Sequence, residues 1–389
     1  MPESRRSPTG ILSVAVVILL AVLVAIGGLY IQQAAENYGS VQSRETVNQS
    51  TGELGAQGQR YEWRMVTTWP KNFPGIGLTP ERFSKLIERM SNGRLVIRVY
   101  GSGELVPALG VFDAVSNGSV EMGHGSAYYW KGKIPASPFF TSVPFGMNAQ
   151  EINAWIHYGG GLELWRSIYK PFGLIPFAGG NTGNQMSGWF NKEINSLEDL
   201  QGLKMRIPGI AGEVFSRAGG TSVTIPGSEI YTSMQTGVID ATEWVGPYND
   251  MSFGLHEVAE HYYHSGWHEP GAMLEIIINE DKWNSIPKDL QAIIEVAARA
   301  INQDTLDEYT ARNATSLQDL QTNFGIIPKA LPTEVLQYLN KAAQDYYAEL
   351  AAQDPQFAEI YASYKNFQTI VREYHDISEK EYYLTRDYE

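Results

Sequence analysis

Short alternating runs of apolar and polar residues recur along the chain from residue 61, and stretches with helical spacing separate them. Strand-like runs separated by helical stretches predict an α/β fold with a parallel sheet covered by helices. The predicted strands are YEWRMVTTW (61–69), RLVIRVYG (94–101) and SVEMGHGSA (119–127). The predicted helices between them are TPERFSKLIERMSNG (79–93) and ALGVFDAVSNG (108–118).

The alternation of strands and helices repeats in residues 181–262, where VIDATEWV (238–245) is predicted as a strand. The chain then returns to the first unit through GAMLEIIINEDKW (271–283). We therefore predict lobe I from residues 61–180 plus 263–330, and lobe II from 181–262. From Pro287 the chain has no proline or glycine until Gly325, which predicts one very long helix between the lobes. Residues 331–389 are predicted as C-terminal helices. Two units joined by several crossings predict a hinge with a ligand cleft at the strand ends.

The N-terminal pattern predicts export. Arg5 and Arg6 precede the uncharged apolar run 11–30, which is long enough to cross a bilayer at about 1.5 Å per residue. We expect residues 1–30 to be a signal peptide, with an uncleaved anchor favoured over a cleaved signal. The polar residues 31–60 predict a flexible tether.

Composition narrows the ligand class. A formal net charge of −14 argues against nucleic acid, which needs a basic surface. The chain has no cysteine, which excludes disulfides and thiolate chemistry. An acidic protein that binds an anion needs a local positive site.

Three residues at or just past predicted strand ends are candidates for such a site: Trp130, Arg206 and Glu243. Arg206 is either a bidentate clamp on a carboxylate or a partner in a structural salt bridge. Glu243 is a cation ligand, a solvated loop residue or the salt-bridge partner of Arg206, and Gln185 supplies a nearby amide. Aromatic residues such as Phe73 are available to wall a small pocket.

Enzymatic motifs are missing from the sequence. The histidines of HEVAEHYYHSGWHE (256–269) do not have the i, i+4 spacing with an intervening Glu of a zinc protease. No G-x-S-x-G, P-loop or G-x-G-x-x-G occurs in a strand–turn–helix setting. An enzyme remains an alternative: a metal-dependent lyase or hydrolase that uses Glu243, His268 and a bound cation.

Five motifs in order resemble the extracytoplasmic solute-binding subunits of TRAP transporters, especially the branch that binds 2-oxo and 2-hydroxy monocarboxylates. The resemblance covers the chain from about residue 61. It implies a two-lobed, type II-like periplasmic binding protein that closes on its ligand and delivers it to membrane subunits. The motifs are TTWPKNFPGIG, SAYYWKGK, GNTGNQMSGWFNKEINSLEDLQGLKMRIPG, TGVIDATEWVGPYND and GWHEPG.

The resemblance also implies roles for particular residues. Arg206 matches the arginine that binds the substrate carboxylate, and Tyr129 matches a tyrosine that hydrogen-bonds the ligand. A Na⁺ or Ca²⁺ ion is implied, with Gln185, Glu243, the Trp244 carbonyl and Glu269 as its ligands. In relatives an Asn that contacts the substrate can follow the matching Gln. Here that position is Met186, so Asn181 or Asn184 is expected to compensate.

Two further questions are left open by the sequence. A sensor module that feeds a signalling partner would share the fold of a transport receptor. The C-terminal segment predicts a helix capped by Asp354 and Pro355, with an apolar seam at Phe357, Tyr361, Tyr364, Phe367, Val371 and Tyr374. That helix either packs on its own domain or pairs with a second copy in a homodimer.

Overall fold

The computed structural model describes residues 58–387. The predicted anchor at 1–30 and nearly all of the predicted tether at 31–60 lie outside the described residues. The described part contains two β-sheets surrounded by helices. The strands are β1 (Tyr61–Thr67), β2 (Leu95–Tyr100), β3 (Met122–Gly125), β4 (Leu174–Asn181), β5 (Gly188–Phe190), β6 (Lys204–Arg206), β7 (Thr221–Val223), β8 (Ala241–Thr242), β9 (His261–His264), β10 (Met273–Asn279) and β11 (Lys329–Ala330).

The first sheet has the strand order β2-β1-β3-β10-β4. Strand β1 is parallel to β2 and β3, as the strand–helix order predicts. Strand β10 is antiparallel to both β3 and β4, because the chain enters it from the second sheet and not through a crossover helix. The sheet is therefore mixed.

The second sheet has the order β11-β9-β5-β8-β6-β7. Strand β6 is parallel to β7 and β8, whereas β5 is antiparallel to β8 and β9. Strand β11 comes from the range expected in lobe I, yet it pairs with β9 of this sheet. The chain thus passes between the sheets several times, which places loops of both beside one another.

Strand β8 is much shorter than the sequence predicts. The expected strand covered residues 238–245, but only Ala241–Thr242 pair with neighbours. The chain then leaves the sheet, because the backbone N–H groups of Val245 and Gly246 donate to Asp250. Glu243 and Trp244 consequently lie in a loop just past the sheet.

Helices cover the sheets and connect their strands. They are α1 (Thr79–Met90), α2 (Val111–Ser116), α3 (Ala149–Tyr158), α4 (Gly161–Tyr169), α5 (Gly209–Arg217), α6 (Gly227–Gln235), α7 (Pro247–Ser252), α8 (Leu255–Val258), α9 (Glu280–Ser285), α10 (Lys288–Asn323), α11 (Thr333–Gln353), α12 (Pro355–Ile377) and α13 (Glu379–Thr385). Short 3₁₀ helices lie between them, including Ala127–Trp130. Within the described residues, no helix is long and apolar enough to span a bilayer.

Helix α10 confirms the prediction of one very long helix. It has 36 residues and is therefore about 54 Å long. It packs along β4 of the first sheet and along α7, which follows the second sheet. Near its middle the buried Tyr309 hydroxyl accepts a hydrogen bond from the backbone of Ile76 at 3.1 Å and donates one to Asn249. The helix thereby ties a loop after β1 to α7.

The C-terminal helix α12 begins as predicted. The Asp354 carboxylate caps it by accepting from the backbone of Gln356 and Phe357, at 2.9 and 3.1 Å. Its first half packs on the chain itself, where Phe357 and Tyr364 bury their rings against Phe139. Its second half and α13 leave a C-terminal apolar stripe exposed. The stripe consists of Ile370, Tyr374, Ile377, Tyr382, Tyr383 and Leu384.

Candidate functional site

Loops of both sheets bring buried charged side chains together. Strands β6 and β8 run parallel with Arg206 opposite Thr242, so Arg206 and Glu243 emerge at the same edge. Gln185 lies in the loop from β4 to β5, and His268 and Glu269 lie in the loop from β9 to β10. All five side chains are at most 4% exposed. A charged group costs much free energy to bury, so this cluster needs internal partners.

Arg206 and Glu243 form an ion pair at the centre of the cluster. The Arg206 Nη1 donates to Glu243 Oε1 and, at 3.3 Å, to the Glu243 backbone carbonyl. Its Nη2 donates to the Tyr129 hydroxyl at 3.2 Å, and its guanidinium lies 5.1 Å from the centroid of the Trp244 ring. The structural salt bridge that the sequence left open is therefore present. It does not use every donor of the guanidinium, because Nη2 carries a second N–H.

Burial shifts the protonation equilibria of the site. Burial alone would lower the pKa of Arg206, but the adjacent Glu243 carboxylate holds that pKa above its ordinary value. Burial also raises the pKa of Glu269 well above its usual range, and the charge of Glu243 raises it further. Burial raises the pKa of Tyr128 and Tyr129, so both hydroxyls remain protonated at neutral pH.

Several buried polar atoms of this cluster have no hydrogen-bond partner within residues 58–387. Leaving such an atom unpaired costs about 1–3 kcal/mol, so a group of them marks a place where a ligand can supply the missing contacts. The unpaired atoms are Gln185 Oε1, Glu243 Oε2, Asn181 Nδ2, Trp244 Nε1 and both ring nitrogens of His268.

The donor set fits a hard cation. Gln185 Oε1 and Glu243 Oε2 are amide and carboxylate oxygens, the ligands that Na⁺ and Ca²⁺ prefer. One ligand atom each from Glu243, His268 and Glu269 lies within 4.8 Å of the others. The Gln185 amide nitrogen donates to Glu269 at 2.9 Å, which holds the two side chains side by side.

A small closed cavity of about 10 Å³, room for about one water molecule, adjoins the charged cluster. Its walls combine aromatic and aliphatic groups with a few polar ones, as is typical of small-molecule sites. The lining residues are Trp69, Ile76, Ser126, Tyr128, Tyr129, Thr182, Gln185, Trp244, Val245, Glu269, Ala272 and Leu274.

Comparison with known proteins identifies the family. Residues 65–354 match bacterial extracellular solute-binding protein family 7, DctP. The chain belongs to this family. It is 43% identical over 337 residues to a monocarboxylate 2-oxoacid-binding periplasmic protein of Nostoc sp.. The aligned residues cover 86% of this chain and 91% of that protein.

Solved structures of TRAP periplasmic solute-binding proteins superpose well on this DctP-family chain. The protein from Colwellia psychrerythraea, with bound calcium and pyruvate, has a TM-score of 0.81 at 44% identity and covers 83% of this chain and 99% of its own. The protein from Pseudoalteromonas atlantica, with bound sodium and pyruvate, has a TM-score of 0.82 at 42% identity and covers 85% of this chain and 100% of its own. A Bordetella bronchiseptica protein is described as a mixed occupancy dimer with calcium and picolinate. It has a TM-score of 0.82 at 39% identity and covers 83% of this chain and 96% of its own. The two-lobed fold class is thus confirmed, and these comparisons give the lyase or hydrolase alternative no support.

In this DctP-family protein, the structure brings most of the sequence candidates together. Tyr129, Gln185, Trp244 and Glu269 line the cavity. Arg206 does not line it directly but contacts Tyr129 and the Trp244 ring at its edge.

Other candidates do not line the cavity. Asn181 is buried behind it, where its Oδ1 accepts from the Gly183 backbone at 2.8 Å. The Phe73 ring packs on Phe253, with centroids 4.3 Å apart. Trp130 points away from Arg206 and Glu243, because its indole N–H donates to Glu275.

Sequence reasoning also missed part of the cluster. It proposed His268 only for the enzyme alternative, whereas the structure places His268 Nε2 3.5 Å from Glu243 Oε2. Its position directly before Glu269 in GWHEPG was the available signal. Among the apolar cavity walls, Trp69 and Ile76 lie within the motif TTWPKNFPGIG, whereas Leu274 carried no signal that separated it from ordinary core residues.

Proposed function

We propose that this DctP-family protein captures a small 2-oxo or 2-hydroxy monocarboxylate and delivers it to the membrane subunits of a TRAP transporter. In this proposal Arg206 binds the carboxylate, and a Na⁺ or Ca²⁺ ion bridges the acid and the protein. The observation that carries the proposal is the buried Arg206 guanidinium beside the unpaired oxygens of Gln185 and Glu243. Relatives with bound pyruvate and a cation support the same ligand class.

Charge balance is the physical reason for the cation. Arg206 and Glu243 already neutralise one another, so a bound acid anion adds an uncompensated negative charge to a buried site. A cation held by Gln185, Glu243, Glu269 and the Trp244 carbonyl supplies the missing positive charge. When bound, it would act as an electrostatic anchor for the acid.

The walls of the cavity favour a short acid, which enters when the surrounding loops move apart. Trp69, Ile76 and Leu274 close its apolar side, and a longer hydrocarbon chain would have to displace these packed side chains. Tyr128 and Tyr129 offer hydroxyl donors for the polar end. Met186 offers no side-chain donor to the ligand, because its thioether carries no N–H or O–H, and its backbone N–H is already used by the Val245 carbonyl at 3.1 Å.

Calorimetric titration of the purified full-length protein with pyruvate tests the proposal. We expect one pyruvate per chain with Na⁺ or Ca²⁺ present, and much weaker binding after chelation and dialysis. Native mass spectrometry should recover the acid chemically unchanged, which distinguishes a receptor from a lyase. Absence of binding to pyruvate and other short 2-oxo or 2-hydroxy acids with either ion would refute the assignment.

We also propose that residues 11–30 hold the receptor at the periplasmic side of the inner membrane, near those membrane subunits. The uncharged apolar run between Arg6 and the polar residues that follow it supports this.

A homodimer through the C-terminal apolar stripe is a further part of the proposal. Ile370, Tyr374 and Ile377 recur at steps of four and three on α12 and are at least 60% exposed. Exposed apolar surface of this kind is typical of an interface, and a stable one should bury over about 1,000 Å². The Bordetella relative described as a dimer supports it.

Replacing Ile370 and Tyr374 together by lysine should convert the dimer to a monomer without unfolding α12, because both side chains point away from the packed face. Light scattering after size-exclusion chromatography measures the mass. Thr369→Lys is the matched control and should leave the dimer intact, because Thr369 is exposed about 100° around the same helix from Ile370. A wild-type protein that is monomeric at micromolar concentration contradicts the interface.

A further inference from the structure

Asp250 is a buried carboxylate that none of the proposed ligand contacts uses. It lies in α7, is 1% exposed and accepts four hydrogen bonds. Its Oδ1 accepts from the backbone N–H of Val245 at 3.2 Å and of Gly246 at 3.0 Å. Its Oδ2 accepts from the Trp189 indole at 3.0 Å and the Tyr262 hydroxyl at 2.8 Å. Burial raises the pKa of Asp250 to about 6, and the bonds from Tyr262 and Trp189 oppose that rise.

The four hydrogen bonds to Asp250 connect two stacked aromatic side chains of the second sheet to the loop that follows β8. Trp189 of β5 and Tyr262 of β9 stack with centroids 4.0 Å apart and planes inclined by 14°. Asp250 takes one bond from each of these side chains and two from consecutive N–H groups of the loop that follows β8. The carboxylate therefore fixes the loop relative to the second sheet.

That loop carries two of the proposed cation ligands, the Glu243 carboxylate and the Trp244 carbonyl. Before Trp244 the loop is also held at Glu243: its N–H donates to the Arg206 carbonyl at 3.3 Å, and its carbonyl accepts from Arg206 Nη1 at 3.3 Å and Thr242 Oγ1 at 2.9 Å. After Trp244, the Val245 carbonyl accepts from the Met186 N–H at 3.1 Å. Within residues 58–387, only Asp250 holds two successive peptide N–H groups directly after Trp244.

We propose that Asp250 is a positioning residue for the cation site, which fixes the loop 243–246 so that Glu243 and Trp244 are oriented before the cation binds. The inference rests on the proposed function and deepens it. Residues that orient metal ligands without touching the metal typically contribute a factor of roughly 10–100 to metal affinity. A loop that is ordered in advance also loses less conformational entropy on binding.

Asp250→Asn tests the role with nearly unchanged shape. If the amide oxygen keeps the two loop bonds, the amide nitrogen faces the Trp189 N–H, and two donors then oppose each other. We expect Ca²⁺ affinity, measured by calorimetry without acid, to fall by roughly 10–100-fold. The apparent pyruvate affinity should fall at low Ca²⁺ and return to the wild-type value at saturating Ca²⁺, because Arg206 and the cavity are untouched.

Glu275→Gln is the matched control. Glu275 is also fully buried and accepts from a tryptophan indole, Trp130, and a tyrosine hydroxyl, Tyr169, but it lies in β10 and holds no part of the loop. Its substitution should leave Ca²⁺ affinity unchanged. Thermal unfolding in chelator measures the structural effect of each variant separately from the cation.

The outcomes separate the two proposals. A wild type that binds Ca²⁺, together with an Asp250→Asn variant of equal affinity, overturns the role of Asp250 alone. A pyruvate defect that persists at saturating Ca²⁺ also overturns it, because that result indicates general damage to the site. A wild type without any cation binding overturns the proposed cation site and the role of Asp250 with it. Should Asp250→Asn fail to fold, Tyr262→Phe removes one bond to Oδ2 and should weaken Ca²⁺ binding in the same direction by less; no change would overturn the inference.

Discussion

Arg206→Ala should weaken pyruvate binding by roughly 30- to 3,000-fold, because truncating one partner of a buried charge pair costs about 2–5 kcal/mol and each tenfold in Kd is about 1.4 kcal/mol. The side chain is 1% exposed and carries the only guanidinium of the cluster in the described part of the chain. Its loss removes the positive charge that faces the acid and also leaves Glu243 without its partner. Calorimetry with saturating cation measures the effect.

Two further variants separate the effect of the charge of Arg206 from that of its planar shape and from the general effect of losing an arginine. Arg206→Lys keeps the charge but loses the planar fork, so its affinity should lie between those of wild type and Arg206→Ala. Arg217→Ala removes a surface arginine whose partner Glu349 is half exposed, and it should bind pyruvate like wild type. A loss of only a few-fold in Arg206→Ala would exclude Arg206 from the site.

Glu243→Gln should nearly abolish cation binding while retaining the shape of the side chain. Glu243 is fully buried and its Oε2 has no hydrogen-bond partner in residues 58–387, so the oxygen is free for a cation. A neutral amide is a weaker ligand for a hard cation than a carboxylate. Elemental analysis of the purified proteins should find Na⁺ or Ca²⁺ in wild type and much less in the variant.

The pyruvate titration supplies the decisive comparison for Glu243. Wild type and Glu243→Gln should differ with Ca²⁺ present and converge after chelation, because chelation removes the same contribution from wild type. Glu121→Gln is the control: Glu121 is also buried and pairs with an arginine, Arg64, but it lies beside β3 in the first sheet. If chelation leaves the wild-type affinity unchanged and no ion is found, the cation proposal is wrong.

The sequence predicted the elements whose signals are local. The absence of proline and glycine between Pro287 and Gly325 predicted α10 as one helix. The Asp354-Pro355 pair predicted the start of α12, because capping depends on neighbouring residues only. Arg206 and Glu243 were brought together correctly for a similar reason: Arg206 ends β6, Glu243 directly follows β8, and parallel neighbouring strands end at the same edge.

Other features depend on contacts between distant segments, which a single sequence does not encode visibly. Strand β8 ends early because Asp250, eight residues after Thr242, captures the backbone of the following loop. Trp130 was expected in the site but turns to Glu275, which is 145 positions away in the chain. His268 was assigned to a different hypothesis because its approach to Glu243 requires the loop between β9 and β10 to fold back.

The near-complete burial of Arg206, Gln185 and Glu243 has a kinetic consequence. An acid held among these side chains cannot leave until the loops around them separate, so its dissociation rate cannot exceed the rate of that opening. Such collective motions take place in microseconds to milliseconds or more slowly. A change that weakens a contact therefore shortens the residence time only until opening becomes the slow step. Beyond that point, faster release requires a lower barrier to opening, and a membrane partner would have to stabilise the transition state of opening, because a partner that only binds the open form shifts the equilibrium alone.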